Sequence, residues 1–344
     1  MEARGRDYDD HRRFDRPRRS TRPRTKDRPS YHDALEAMVV TVDRGRFGCL
    51  VTDPEGAPGD ADRAVTAMKS RPLGRKGVVV GDRVRLVGDV SGSDGTLARI
   101  VEVVERRTVL RRTADDDDPV ERVIVANADQ LVVVAALADP EPRPRLIDRA
   151  LVAAYDAGLE PLLCLTKPDL RDPETLLSIY RPLGVPFVVT QRGQEVSEVR
   201  QRLAGRISVL VGHSGVGKST LVNALVPGAS RAIGAVNATT GRGRHTSTSV
   251  LMLRLPPTAG SASGWIVDTP GIRSFGLAHV DPRHLIGAFP DLARLTGDCP
   301  RGCRHGWQEP ECALDGAIES GQTERERVDS FRRLLASRER GDSD

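Results

Sequence analysis

Nine consecutive residues, Gly212-His213-Ser214-Gly215-Val216-Gly217-Lys218-Ser219-Thr220, fit the G-x-x-x-x-G-K-[ST] pattern of a phosphate-binding loop. Before them, Ile207–Val211 reads as a short buried strand; from Ser219 to Leu225 the chain reads as the first turns of a helix. That strand–loop–helix setting is the one the loop requires. It commits this part of the chain to an α/β layer built on a mostly parallel sheet. The glycines let backbone N–H groups turn inward around an anion, and the helix N-terminus adds partial positive charge. Lys218 is expected to reach the β- and γ-phosphates of a nucleotide, and the Ser219 hydroxyl to bind Mg²⁺.

Two further boxes narrow the nucleotide. Thr166-Lys167-Pro168-Asp169 closes the apolar strand Pro161–Leu165. An ionised Asp169 accepts two hydrogen bonds from guanine, at ring N1–H and at the exocyclic amine, and adenine has no donor at ring N1. The aliphatic stem of Lys167 lies over the base. Taken alone, these four residues also read as a helix start; beside the phosphate loop they read as a guanine box. Asp268-Thr269-Pro270-Gly271 follows the strand Gly264–Val267. Asp268 is expected to hold Mg²⁺ through water, and the Gly271 N–H to meet the γ-phosphate. The position after this box, where many hydrolases of this class carry a water-orienting Gln, is Ile272.

The order of the boxes is unusual. The base box precedes the phosphate loop, whereas common small GTPases place it last. This is a circular permutation, which preserves a core when the old termini were close. The chain leaving Asp268–Gly271 therefore runs directly into the C-terminal region.

That region carries Cys299, Cys303, His305 and Cys312, three thiols and an imidazole within fourteen positions. This is the complement of a closed tetrahedral structural zinc site. Gly302 and Pro310 supply tight turns. The chain has five cysteines. Cys49 and Cys164 lie in apolar, strand-like contexts and read as inert core residues. No secretory signal or hydrophobic run of membrane length is evident, so the expected compartment is the cytoplasm, where thiols bind metal rather than pair.

The fold class read from these patterns is multidomain. Residues 1–34 form a basic tail: residues 1–30 hold eleven Arg/Lys against six Asp/Glu, with almost no aliphatic residues. Such a tail is expected to be disordered and suited to polyanions. Residues 35–113 show short β-branched runs, among them Met38–Val42, Cys49–Val51, Val78–Val80, Arg83–Val87 and Leu97–Val104. They predict a small barrel of the OB type. Its one aromatic residue is Phe47, so contact with nucleic acid is expected through Arg44, Arg46, Arg71, Arg75 and Lys76 on phosphates rather than by base stacking. Asp115–Asp118 is an acidic linker. Residues 120–278 form the permuted hydrolase domain, and 279–340 a helical zinc-binding domain ending in a charged helix from Thr323 to Arg338.

Together these residues resemble the ribosome small-subunit-dependent GTPase A family (RsgA, also called YjeQ) over about residues 36–340. The permuted order, the preceding barrel, the following zinc cluster and the stretch Ala126-Asn127-Ala128-Asp129-Gln130 carry the resemblance. It implies a cytoplasmic GTP hydrolase acting late in small ribosomal subunit maturation and stimulated by that subunit. It also implies that barrel and zinc domain both touch ribosomal RNA. Gly243-Arg244-His245-Thr246-Ser247-Thr248 is similar to the family's first switch. Thr246, Ser247 and Thr248 are then alternative Mg²⁺ hydroxyls, with Thr246 the first candidate, and His245 is the residue the resemblance points to for positioning the attacking water. The chain departs from the family at Thr166, where Asn is commoner and provides a bridging amide, and in the x3, x1, x6 spacing of the zinc ligands. GTP or GDP with Mg²⁺, one Zn²⁺ and the small subunit with its RNA are the expected partners of a monomer with no membrane contact. A competing reading from another class is an RNA-binding scaffold or chaperone whose nucleotide centre hydrolyses weakly. A two-metal nuclease is disfavoured, because no carboxylate cluster is evident.

Overall fold

A computed structural model of the 344-residue chain gives the structure of residues 31, 34–51, 63–74, 77–113, 120–229, 250–257, 263–270 and 275–339. Five strands build the N-terminal part: β1 (Leu35–Asp43), β2 (Arg46–Val51), β3 (Arg63–Lys69), β4 (Arg83–Gly88) and β5 (Ala98–Val103). Each runs in the order β1-β2-β3-β5-β4, and β4 pairs back onto β1. The sheet therefore closes on itself and leaves no free edge within the barrel. Alternation drives closure. Phe47, Cys49 and Val51 of β2 point inward with Val65 and Ala67 of β3, Val84 and Leu86 of β4, and Ala98 and Ile100 of β5. A shift in the β1–β2 register between Val39 and Thr41 and another in β4–β5 between Arg85 and Leu86 bend the wall.

One expected strand is different. Val78–Val80 is not a barrel strand; the third is Arg63–Lys69. Val80 instead bridges to Val125 outside the barrel. The cause is the next residue, Gly81, at φ +87° and packed so closely on the Ala126 carbonyl that an added Cβ would lie 2.0 Å from that oxygen. The chain is drawn toward the hydrolase layer before it can extend.

A hairpin of β6 (Val109–Arg112) and β7 (Arg122–Ala126) leads from the barrel to the hydrolase sheet. The junction explains the Ala126–Gln130 stretch. Asn127, at φ +56°, donates from its amide to the Gly81 carbonyl (2.9 Å) and accepts from the Arg107 N–H (2.8 Å). Asp129 accepts from Arg107 (2.6 Å) and from the Ile207 N–H (2.8 Å). These polar side chains thus pair the buried backbone groups of the junction, which an apolar residue would leave unmade.

The hydrolase sheet consists of β8 (Gln130–Ala136), β9 (Glu160–Thr166), β10 (Phe187–Thr190), β11 (Ile207–Val211), β12 (Leu251–Arg254) and β13 (Trp265–Asp268), in the order β10-β9-β8-β11-β13-β12. Pairings are parallel except β12 with β13. β12 also meets β1 at Thr41 and Leu251, so the sheet continues into the barrel wall. All seven residues of β8 are buried, as a central parallel strand requires.

Helices α1 (Pro144–Asp156), α2 (Glu174–Tyr180), α3 (Ser197–Leu203) and α4 (Lys218–Leu225) belong to this layer. Beyond the sheet come two four-residue helices, α5 (Pro282–Leu285) and α6 (Pro290–Ala293), then α7 (Ala313–Glu319) and α8 (Arg325–Glu339). They share a core with α1. Tyr155, Phe289 and Phe331 pack edge to face, with centroids 5.0 and 5.2 Å apart, and Leu314, Val328 and Leu334 join the same cluster.

Candidate nucleotide and metal sites

The C-terminal ends of β9, β8, β11 and β13 lie at one edge of the sheet, where open α/β sheets bind ligands. The phosphate loop leaves β11 there and enters α4. Gly212 approaches β8 so closely that a Cβ would sit 2.6 Å from the Val134 carbonyl. Gly217 caps α4 in the left-handed conformation at φ +93°. Ser214, Gly215, Ser219 and Thr220 are exposed, Val216 is buried, and His213 rests its Nδ1 near the Ser214 carbonyl (3.0 Å).

The three boxes meet. Lys218 forms an ion pair with Asp268 at the end of β13. Both side chains are more than four-fifths covered, so the ammonium and carboxylate neutralise one another in a confined place. A cation at Asp268 is thus accommodated by the surroundings. Thr269, fully buried, donates to the Leu210 carbonyl of β11 (2.8 Å) and fixes the start of the segment after β13. Thr166, at the end of β9, donates its hydroxyl to the Val216 carbonyl of the phosphate loop (2.6 Å). This hydroxyl ties the end of β9 to the phosphate loop. Lys167, at φ +59°, donates its ammonium to the Asp139 carbonyl in the loop after β8. Asp169 is exposed. Gly271, Ile272, His245, Thr246, Ser247 and Thr248 lie outside the described residues.

In the C-terminal region Cys299, Cys303, His305 and Cys312 bring their ligand atoms within 4.8 Å of one another. The three sulfurs stand 3.5, 3.5 and 3.7 Å from His305 Nδ1. The edge of a tetrahedron with zinc–sulfur bonds of about 2.3 Å and a zinc–nitrogen bond of about 2.0 Å is roughly 3.5 Å. The donor set therefore fits Zn²⁺ in size as well as in chemistry. Backbone N–H groups support the sulfurs: Ala313 donates to Cys299 (3.3 Å) and His305 to Cys303 (3.4 Å). Arg332, held by Asp315 (2.7 and 2.9 Å), donates to the His305 carbonyl (3.2 Å). His305 sits at φ +60°, a cost the surrounding contacts must offset. Cys49 and Cys164 are buried elsewhere, and desolvation pushes both thiols up to about 12, as inert core residues require.

Sequence reading did not single out Arg149 of α1. It is 1% exposed and donates to the carbonyls of Phe275 and Ser337. A charged pair, Asp148-Arg149, inside a helix otherwise apolar on its buried side was the available signal.

A family model described as RsgA GTPase matches residues 103–278. A relative from Ectopseudomonas mendocina (strain ymp), named small ribosomal subunit biogenesis GTPase RsgA, is 44% identical over 223 residues, covering 62% of this chain and 63% of its own length. One of the same name from Pseudomonas fluorescens (strain SBW25) is 41% identical over 256 residues, 72% of each chain. Among solved structures, YjeQ from Thermotoga maritima superposes with a TM-score of 0.63 at 25% identity, covering 89% of this chain and 98% of that one. YloQ, titled a circularly permuted GTPase, gives 0.62 at 24% identity over 91% and 98%, a likeness of fold. With the family model spanning half the chain, and the second relative aligned over nearly three quarters of both, the chain belongs to the RsgA GTPase family.

Proposed function

We propose that this protein hydrolyses GTP, binds the small ribosomal subunit and acts late in its maturation, with turnover stimulated by the subunit. The observation that carries the reading is the convergence of Lys218, Asp268 and the Thr166–Val216 tie at one sheet edge, in permuted order, in a chain of this family. Its relatives' names supply the small subunit.

In this reading residues 212–220 wrap the phosphates, and Lys218 leaves Asp268 for the β- and γ-phosphates. Asp268, the Ser219 hydroxyl and a hydroxyl of the first switch, Thr246 first among them, hold Mg²⁺, which neutralises charge developing on the phosphates. Gly271 meets the γ-phosphate, and Thr166, Lys167 and Asp169 take the base. His245 positions the attacking water, because Ile272 has no polar group to do so. Cys299, Cys303, His305 and Cys312 hold one structural Zn²⁺.

The division of labour follows the chain: the tail at 1–34 and the barrel at 35–113 contact RNA, 120–278 hydrolyses, and 279–340 forms the zinc-binding part. Phe47 is buried in the barrel, while Arg44, Arg46 and Arg71 are exposed, which supports contact with phosphates. Arg75 and Lys76 lie outside the described residues. Among the described residues no helix is long and apolar enough to cross a membrane. The expected compartment is the cytoplasm and the expected state a monomer.

Guanine selectivity is expected to rest on Asp169. Asp169→Asn should weaken GTP and gain xanthosine triphosphate, whose ring presents an acceptor where guanine has an amine; a competition assay with unchanged preference counts against the box. His245→Ala should keep GTP affinity and lose about 2–3 kcal/mol of transition-state stabilisation, roughly 30- to 150-fold in stimulated turnover. Phosphate release at the normal rate on the subunit moves that role elsewhere. The reading as a whole is tested by co-sedimentation with small, large and joined ribosomal particles, in GDP and in a non-hydrolysable GTP analogue. Binding to the small subunit favoured by the analogue supports it; equal binding in both states favours the scaffold reading.

A further inference from the structure

We propose that Arg149 is a positioning residue that ties the chain leaving the Asp268–Gly271 box, the second switch of the hydrolase reading, to the C-terminal helix, so that nucleotide state is transmitted to α8 through one guanidinium. The inference rests on the hydrolase reading above.

Phe275 stands four residues past Gly271, where the chain leaves the box expected to sense the γ-phosphate. Its carbonyl accepts from both Nε (3.0 Å) and Nη2 of Arg149. The Nη1 of the same guanidinium donates to the Ser337 carbonyl (2.9 Å). Ser337 lies near the C-terminal end of the described part of α8. One guanidinium thus holds a carbonyl of α8 and the carbonyl of Phe275 together.

Burial makes this tie stiff. Arg149 is 1% exposed, so a donor that loses its acceptor has no water to replace it. Movement of Phe275 must either carry the guanidinium with it or break the bonds that Nε and Nη2 make to its carbonyl. The next residue is held as well. Gly276 accepts from the Thr113 N–H (3.1 Å) at the end of β6, and a Cβ on Gly276 would lie 2.4 Å from the Thr113 hydroxyl. The switch exit is therefore pinned between the barrel-side hairpin and α1, and Arg149 is its polar link to α8.

A second anchor between α1 and α8 gives the control. Arg333, one turn before Ser337, pairs with Asp148 (3.0 Å) and donates to the Ile179 carbonyl (3.2 Å). Neither partner belongs to the switch exit. Arg333 therefore holds α8 to the hydrolase layer without reaching Phe275.

The test is amide hydrogen exchange of the full-length protein in GDP and in a non-hydrolysable GTP analogue, read in peptides covering 275–281 and 325–339. In the wild type, protection of the last turns of α8 should differ between the two states by at least about fivefold, the lower end of ordinary coupling between sites. Arg149→Lys keeps the charge but cannot span two carbonyls with a planar fork. It should retain GDP affinity and zinc content and lose the difference in α8, with the stimulated kcat falling and the KM for GTP held. Arg333→Lys should loosen α8 in both states and keep the difference. A nucleotide-dependent difference that survives in Arg149→Lys overturns the proposal. So does a wild-type α8 that is indifferent to nucleotide while GTP is bound, a result that stands even if the variant does not fold. Failure of the wild type to bind either nucleotide overturns the hydrolase reading itself.

Discussion

Lys218→Ala should remove most nucleotide binding while leaving the fold intact. The ammonium is the one positive side chain of the phosphate loop, and it pairs with Asp268 at the end of β13. Truncating a charged, hydrogen-bonded partner at such a site costs about 2–4 kcal/mol, roughly a 30- to 1000-fold rise in Kd. The loop geometry itself is set by Gly212, Gly217 and the Thr166–Val216 bond, none of which involves Lys218. Asp268, more than four-fifths covered, is left without its partner, so the variant should melt lower than the wild type yet remain folded. Calorimetric titration with GDP and a thermal melt on the same sample check both halves. Wild-type affinity for GDP in the variant contradicts the phosphate-loop assignment.

Removal of zinc is the second large effect. One zinc per chain is expected, and a chelator or Cys303→Ser should release the loop from Cys299 to Cys312 and unfasten the start of α7. The sulfurs organise that loop: they accept backbone N–H groups from His305 and Ala313 and surround His305 Nδ1. With the metal gone, these contacts alone must hold a segment with little apolar burial, and metal binding free energy is folding free energy for so small a unit. The helices behind it should persist. Phe289, Leu292, Val328, Phe331 and Leu334 pack into the same core as Leu151 and Leu177 of the hydrolase layer. Hydrogen exchange should then show lost protection at 299–319 and retained protection in the middle of α8. Elemental analysis well below one equivalent, or uniform loss of protection through α8, contradicts this account.

What could be read in the sequence was chemistry with a fixed spacing. The phosphate loop, the guanine box and the cysteine cluster each need particular residue types at particular separations, and each stands on the strand, turn or loop that its pattern required. The barrel was legible as a class but not strand by strand. Arg63–Lys69 has only Val65 and Thr66 as β-branched residues and owes its extension to pairing with β2 and β5. Val78–Val80 looks more like a strand and is diverted by Gly81 against Ala126. Tertiary contact overrides local preference in both cases. β12 was not legible either, since its place depends on β13 on one side and β1 on the other. Arg149 is the clearest case of what a sequence hides. Its acceptors are backbone carbonyls 126 and 188 positions away, and a carbonyl leaves no signature in residue type. The role of Thr166 was visible only as a departure. The structure gives that residue a contact of its own, a hydroxyl at the end of β9 donating to the Val216 carbonyl of the phosphate loop.

The central claim is tested most directly by phosphate release from GTP, measured with and without purified small ribosomal subunits at fixed salt. Slow basal turnover is expected, because neither Ile272 nor an arginine from another protein orders the reaction in the free chain. Adding small subunits should raise the rate by at least about tenfold, and Lys218→Ala should abolish turnover in both conditions. A rate unchanged by small subunits, with GTP still bound, contradicts the account and leaves an RNA-binding scaffold whose centre holds nucleotide without using it.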